Sequence, residues 1–381
     1  MSEIVDYLRG TGISNLTWGN AILFLVGIGF IYCAVAKKKE PYVLLPIGLG
    51  IIIANLPMTG LSVFDPSGSI QGSGILGVIF HYGLSYWNIL PPLIFLGLGA
   101  MTDFGPIIAN PKTLILGGAA QVGIFVAFWG ALATGWFDIN EAVVIGIIGG
   151  ADGPTTIFTS AKLAPHMLGI TAVVAYSYMA GVVFIQPPLM KLFTTKNERE
   201  IVMKPSRKVS RFEKLVFPIT TMVFIVLIVP ESAPLITMFM IGNLFKETGV
   251  VPKLMDAASN ELLNVVTIFL MLTVGAQLSA NLVLQPKTLA ILGLGLVAFA
   301  CSTIGGLLAA KIMNLFLKEK INPLIGSAGV SAVPMAARLS HIIGQKANPN
   351  NFLLPHAMGP NIAGVIGSAV VAGVFITLVG N

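Results

Sequence analysis

Long apolar runs dominate this chain, and the short polar breaks between them hold nearly all of its charge. The hydrocarbon core of a bilayer takes about 20 apolar residues of helix to cross, so each run near that length predicts a membrane span. Spans are predicted at 20–36, 41–57, 89–104, 112–136 and 167–193, and, after a basic stretch, at 215–229, 234–245, 264–279, 288–316 and 352–378. Two further apolar stretches, 142–162 and 322–340, have Gly- and Pro-rich centres and are too short or too broken to cross. The pattern therefore predicts an all-α polytopic membrane protein of about ten transmembrane helices. Residues 1–19 carry Glu3, Asp6 and Arg9 and end before the first apolar run. An interfacial segment is expected there rather than a cleavable signal.

Composition supports this reading: 55% of the 381 residues are hydrophobic and 10% are charged, against about 25% charged in soluble domains. Mean hydropathy is +0.88. The 42 glycines and 23 prolines suit close helix packing and deliberate breaks in membrane helices. Cys33 and Cys301 both lie inside apolar runs and offer neither a disulfide framework nor metal spacing.

The net charge of +6 says less than its placement. Basic residues crowd the stretch from Lys191 to Lys214, and Lys37, Lys38 and Lys39 form a second block. Both abut apolar spans, so they read as cytoplasmic segments rather than a nucleic-acid surface. With Lys37–Lys39 inside, the N-terminus lies outside. Lys112 then falls inside, Asp138 and Glu141 outside, the 194–214 linker inside, Glu231 outside, and Lys311, Lys318 and Lys320 inside. The alternation closes only if 142–162 and 322–340 each enter and leave on one side, as re-entrant hairpins.

The chain also repeats itself. Ile94-Phe95-Leu96 recurs as Ile268-Phe269-Leu270, Gly99-Ala100 as Gly275-Ala276, and Pro111-Lys112-Thr113-Leu114 as Pro286-Lys287-Thr288-Leu289. Gly149-Gly150-Ala151 matches Gly326-Ser327-Ala328, and Tyr178-Met179-Ala180-Gly181 matches Asn361-Ile362-Ala363-Gly364. The five matches keep one order, which divides the chain into a repeat over 20–193 and a second over 215–381. The charge-derived topology sends the two into the membrane from opposite sides. Inverted repeats with paired interrupted segments point to a transport site near the midplane.

Of the 16 acidic residues, nearly all lie in loops or at span ends. Asp152 follows ten uncharged residues, Ala142 to Ala151, and precedes Gly153-Pro154-Thr155-Thr156, with Thr159 and Ser160 beyond. A carboxylate at membrane depth costs roughly 2.5–3.5 kcal/mol on insertion scales and needs a partner. Freed backbone carbonyls, hydroxyls and one carboxylate are what a small hard cation needs in place of its water. Two readings stand: a cation or proton site, and a loop aspartate that caps the next helix. The second hairpin supplies Asn322, Gly326, Ser327 and Ser331 but no acid, then Pro334 and Arg338. Arg338 reads either as a snorkelling interfacial arginine or as a clamp for an anionic group. Tyr176 and Tyr178 lie within the 167–193 span, where packing with one hydrogen bond is the plain reading of each. Asn361 follows Gly359-Pro360, a helix break beside a polar oxygen. No G-x-x-x-x-G-K-[ST] motif is present, and neither Met-Lys pair sits in the Ala-Met-Lys-Met context of a biotinylated lysine.

Three runs, Gly149-Gly150-Ala151-Asp152-Gly153-Pro154-Thr155-Thr156-Ile157, Ala328-Gly329-Val330-Ser331-Ala332-Val333-Pro334 and His356-Ala357-Met358-Gly359-Pro360-Asn361-Ile362-Ala363-Gly364, resemble the β subunit of sodium-translocating, biotin-dependent decarboxylases. That family includes the oxaloacetate, methylmalonyl-CoA, glutaconyl-CoA and malonate decarboxylase pumps. The resemblance is densest over 142–193 and 322–378. It implies that carboxybiotin, carried by a partner subunit, is decarboxylated at this chain, with proton consumption and outward Na⁺ movement. It implies Asp152 as the sodium-site aspartate and Tyr178 as a residue of sodium or proton handling. Asn322 and Ser331 would be sodium or proton ligands, Gly326 would belong to the sodium-binding set, Arg338 would engage the carboxybiotin carboxylate, and Asn361 would be a further sodium ligand. It further implies an elevator-like core against a scaffold, biotin-carrier and carboxyltransferase partners, a small γ/δ-type membrane subunit, a homo-oligomer, and the bacterial inner membrane. The rival reading is a sodium-coupled secondary transporter, an organic-anion symporter or Na⁺/H⁺ antiporter without a decarboxylase partner.

Overall fold

The computed structural model describes residues 11–57, 59–63, 73–283 and 285–380. The expectation of an interfacial segment over 1–19 rests mainly on residues 1–10, which lie outside the described residues. Every regular element among the described residues is helical. The principal helices are α1 (Trp18–Val35), α2 (Pro41–Ala54), α3 (Ile75–Phe80, continued by a π-helical turn His81–Tyr86), α4 (Leu90–Met101), α5 (Thr113–Ala120), α6 (Val122–Ala133), α7 (Ile139–Ile148), α8 (Gly153–Leu163) and α9 (Leu168–Phe193). After the basic linker come α10 (Arg211–Ile228), α11 (Ala233–Thr248), α12 (Leu263–Ala276), α13 (Pro286–Phe316), a 3₁₀ turn Pro323–Gly329, α14 (Met335–Ala347) and α15 (Leu354–Val379).

The apolar runs thus become helices close to the predicted bounds. The expected ten spans do not all reach full length, however. Among the described residues five helices are long and apolar enough to cross a bilayer, or seven if each of two bent pairs is one span. Helices such as Pro41–Ala54 fall short of that length. One bent pair, Ile75–Tyr86 with Leu90–Met101, turns by 77°. Asn88 makes the turn with a φ of 48°, a left-handed conformation that asparagine tolerates better than most residues. Its Nδ2 donates to the Phe158 carbonyl at 2.9 Å and ties the bend to α8. Residues 75–86 were not expected as helix, because His81, Tyr82, Ser85 and Tyr86 interrupt the apolar pattern. The second hairpin runs to Ala347, past the expected 340, because the polar positions Arg338, His341, Gln345 and Lys346 on α14 resemble loop.

Two helix crossings bring backbones into contact through glycine. A Cβ on Gly99 of α4 would lie 1.9 Å from the Phe239 carbonyl oxygen of α11, and one on Gly242 of α11 would lie 2.0 Å from the Leu96 oxygen. The α2–α12 crossing repeats this pattern: a Cβ on Gly275 would lie 2.3 Å from the Ile47 oxygen, and one on Gly50 would lie 2.2 Å from the Leu272 oxygen. In each pair the glycine of one helix meets a carbonyl three residues before the glycine of the other. Small residues that let backbones approach are how membrane helices associate without a hydrophobic drive between them.

Polar groups gather at the two ends of α13 and α15. At one end Glu141 meets His166 at 3.0 Å and Lys287 at 3.9 Å, and Lys162 pairs with Glu231. The first hairpin, α7–α8, opens here; a capping box between Asp138 and Glu141 starts it. At the other end lie the linker and the second hairpin. Lys311 pairs with Glu198 at 3.2 Å and Lys204 with Glu319 at 2.5 Å. Arg207, followed by the Ser210 backbone N–H, holds the Glu213 carboxyl down to about 2 at the start of α10. The acidic loop meets Lys287 and the basic linker meets Lys311, so the two lie at opposite ends of α13.

Candidate functional site at the meeting of two broken helices

The first hairpin breaks at Gly149–Asp152. Ala151 takes a φ of 52°, a left-handed conformation that costs a non-glycine residue of order 1–3 kcal/mol. The turn ends α7 and lets Asp152 begin α8. The ten residues of α7 span about 15 Å, half of the ~30 Å hydrocarbon core. Asp152 is 5% exposed. Its Oδ1 accepts from the Thr155 backbone N–H at 3.1 Å, and its Oδ2 accepts from the Ser368 hydroxyl at 2.7 Å. The two readings of this residue are therefore compatible: it caps α8, and it is also a carboxylate in the interior.

The second hairpin reaches the same point from the other end. The Ser331 backbone N–H donates to the Gly150 carbonyl at 3.0 Å. The Ser331 hydroxyl donates to Ser368 at 3.4 Å, which completes a chain from the second hairpin through α15 to Asp152. Ser302 of α13 donates to the Gly149 carbonyl at 2.8 Å and holds the first break from a third side. Around Asp152, the Thr155 Oγ1 and the Tyr176 hydroxyl are buried with no hydrogen-bond partner. Tyr176 lies so close that a Cβ on Gly153 would meet its ring at 2.3 Å. Unpaired buried oxygens are costly, and a bound cation would satisfy them. Among the described residues no three His, Cys, Asp or Glu side chains gather into a metal-holding group. The site offers one carboxylate among neutral oxygens, a charge that one monovalent ion balances.

The other predicted residues divide. Asn361 of α15 is fully buried; its Nδ2 donates to the Ala328 and Val330 carbonyls at 2.8 Å each, and its Oδ1 has no partner. It holds the segment of the second hairpin that leads to Ser331 and has an acceptor to spare. Gly326 acts through packing: a Cβ there would lie 2.0 Å from the Gly306 oxygen of α13, and one on Gly306 would lie 2.0 Å from the Gly326 oxygen. Asn322 uses all its polar atoms elsewhere. Its Oδ1 accepts from the Leu324 N–H at 3.0 Å, and its Nδ2 donates to the Arg199 and Ile201 carbonyls of the linker. Asn351 clamps the same two carbonyls at 3.0 Å each. Tyr178 points away from Asp152 and donates to the Leu292 carbonyl of α13. Arg338 is exposed in the first turn of α14, and among the described residues it forms no hydrogen bond or ion pair through its guanidinium. Its charge is felt by Glu40, whose carboxyl is pushed up by burial and partly restored by Arg338.

Two residues of this neighbourhood, Ser368 and Gln121, were not expected from the sequence, and Tyr176 was expected only as a packing residue. Ser368 sits seven residues after Asn361, two turns along the same helix face, and that spacing was a usable signal. Tyr176 stands two residues from Tyr178, and no spacing rule separates them. Gln121, an isolated amide between α5 and α6, donates to the Gly117 and Gly364 carbonyls at 3.0 and 3.3 Å and keeps a buried Oε1 unpaired.

A helical multi-pass membrane protein, with two interrupted hairpins joined over a buried carboxylate, is the class that this fold and site define. The chain belongs to the family described as the Na⁺-transporting oxaloacetate decarboxylase beta subunit, whose family model matches residues 19–379. It is 54% identical over 394 residues to methylmalonyl-CoA decarboxylase subunit beta of Propionigenium modestum, with 100% of each chain covered. It is likewise 54% identical over 378 residues to glutaconyl-CoA decarboxylase subunit beta of Acidaminococcus fermentans, covering 99% of this chain and 98% of the relative. Identity to the oxaloacetate decarboxylase beta chain of Klebsiella pneumoniae is 47% over 431 residues, covering 100% and 99%. The family decides against an ordinary secondary transporter, a choice that broken helices alone leave open.

Proposed function

We propose that this chain decarboxylates carboxybiotin presented by a partner subunit and couples the reaction to outward Na⁺ transport across a bacterial inner membrane. The observation that carries the reading is the buried Asp152 carboxylate, set among unpaired oxygens where the two hairpins join. Asp152 binds Na⁺, with Thr155, Tyr176 and the Ser368–Ser331 chain around it. Asn361 contributes its free Oδ1 on the same path. Asn322 and Gly326 act less directly, by fixing the second hairpin to the linker and to α13.

Carboxybiotin supplies a labile N–C bond: as it breaks, the electron pair stays on nitrogen, CO₂ leaves, and the nitrogen takes up one proton. Arg338 receives the carboxylate, since its exposed, unpaired guanidinium suits a bidentate anion. A proton bound at Asp152 competes with Na⁺ for the same carboxylate. Release of that proton toward the reacting nitrogen and capture of Na⁺ are then opposite sides of one exchange. Coupling requires that occupancy favour one conformation over another. The matching glycine crossings of α4 with α11 and α2 with α12 support two inverted repeats, 20–193 and 215–381, with these crossings as scaffold and the hairpins as an elevator-like core. The family name marks a subunit of a larger complex. Biotin-carrier and carboxyltransferase subunits, a small γ/δ-type membrane subunit and further copies of this chain complete it.

The deciding experiment isolates the native complex, probes it with streptavidin, and asks which carboxylic acid or acyl-CoA drives ²²Na⁺ uptake into inside-out vesicles. A co-purifying biotinylated chain and substrate-driven uptake are expected. Sodium uptake with no biotinylated partner would reinstate the secondary transporter.

The two tyrosines provide a sharper test of the site. Tyr176→Phe is expected to raise the Na⁺ concentration for half-maximal decarboxylation about tenfold, the effect of one oxygen facing a charge. Tyr178→Phe, which loses a hydroxyl directed at the α13 backbone, is expected to change it less. The reverse order would move the ion away from Asp152 and toward α13.

A further inference from the structure

A groove of about 450 Å³ opens between α1, α2 and α9. Val26, Phe30 and Leu44 form its apolar walls, and Gly29 and Gly181 leave room between them. At its rim the Lys39 ammonium lies 4.7 Å over the Phe184 ring, and Phe184 is itself 70% exposed. Lys37 and Lys38 precede it in the chain, with Lys37 lying 5.8 Å over the Tyr32 ring, and among the described residues none of the three forms an ion pair. Glu40 is the neighbouring acid, and its charge is countered by Arg338. The groove follows a bend: the segments Pro165–Met179 and Gly181–Phe193 of the helix that lines it meet at 56°.

We infer that this groove binds an anionic phospholipid of the cytoplasmic leaflet, with an acyl chain between α1 and α9 and the headgroup phosphate on Lys37–Lys39. Two observations select this occupant. The groove faces outward from a chain that crosses the bilayer, so lipid meets it first. An apolar slot with lysines at one end matches a molecule that carries an apolar tail and an anion at a depth the bilayer fixes. A protein helix would have to place an acid at that same level to match it. Ser177 lines the groove, and its neighbour Tyr176 faces Asp152. A lipid seated here rests on the helix that positions Tyr176.

The test uses the purified chain in detergent, titrated with phosphatidylglycerol or phosphatidylcholine and read by native mass spectrometry. Phosphatidylglycerol is expected to bind about tenfold more tightly. Substituting all three lysines, Lys37→Gln, Lys38→Gln and Lys39→Gln, should remove most of that preference. Gly29→Leu should remove the tight site for both lipids, since a Cβ on Gly29 meets nothing within 4 Å and the new side chain enters the groove. Equal binding of the two lipids would overturn the inference, as would a preference that survives the lysine substitutions. Inorganic phosphate displacing phosphatidylglycerol from the lysines would also overturn it, in favour of a soluble-anion site.

Discussion

Asp152→Asn is expected to abolish Na⁺ transport and Na⁺-stimulated decarboxylation together, by about 100-fold or more, while the protein stays folded. The magnitude is that of removing one charge from a buried ion pair, about 3–5 kcal/mol. Folding survives because an asparagine oxygen caps a helix nearly as well as an aspartate oxygen. It can still accept from the Thr155 N–H, as Oδ1 does at 3.1 Å. The variant therefore separates the two things that Asp152 does. Substrate-driven ²²Na⁺ uptake in reconstituted vesicles and the thermal midpoint of the same sample measure both. A variant that melts normally and still pumps at full rate would reduce Asp152 to a cap and remove the basis of the sodium site.

Arg338→Ala is expected to lower decarboxylation by about 100-fold at limiting carboxybiotin, since hydrogen bonds to a charged group are worth about 1.5–3 kcal/mol each. Half-saturation by Na⁺ should stay within about twofold, because Arg338 is exposed and touches none of the oxygens around Asp152. Arg338→Lys should recover only part of the loss, since an ammonium cannot offer the parallel pair of donors that a carboxylate accepts. The comparison needs free carboxybiotin as substrate and two titrations, one in carboxybiotin and one in Na⁺. A defect confined to the sodium titration would reassign Arg338 to the ion path.

Much of the architecture was legible because the bilayer enforces a simple rule. Backbone polar groups in hydrocarbon must be paired within a helix, so apolar length translates directly into helix. The span predicted at 288–316 became Pro286–Phe316, and that at 167–193 became Leu168–Phe193. The rule fails where a helix is not lipid-facing along its whole surface. His81–Tyr86 and the far half of α14 carry polar side chains and still coil. Residue types marked the breaks equally well: Gly149-Gly150 and Pro334 lie at the two hairpin tips that meet.

The sequence by itself determined the helical membrane class, the two Gly- and Pro-rich breaks and the one interior carboxylate. These follow from quantities summed locally along the chain: apolar length, glycine and proline. Only the tertiary structure decided which oxygens share the space around Asp152. It placed Tyr176 and Ser368 beside Asp152, bonded Tyr178 to α13, and gave Gly326 and Asn322 contacts that hold the second hairpin in place. The reason is geometric: two tyrosines on one helix, two residues apart, point about 200° apart around its axis. Which of them faces the carboxylate depends on how that helix rests against its neighbours.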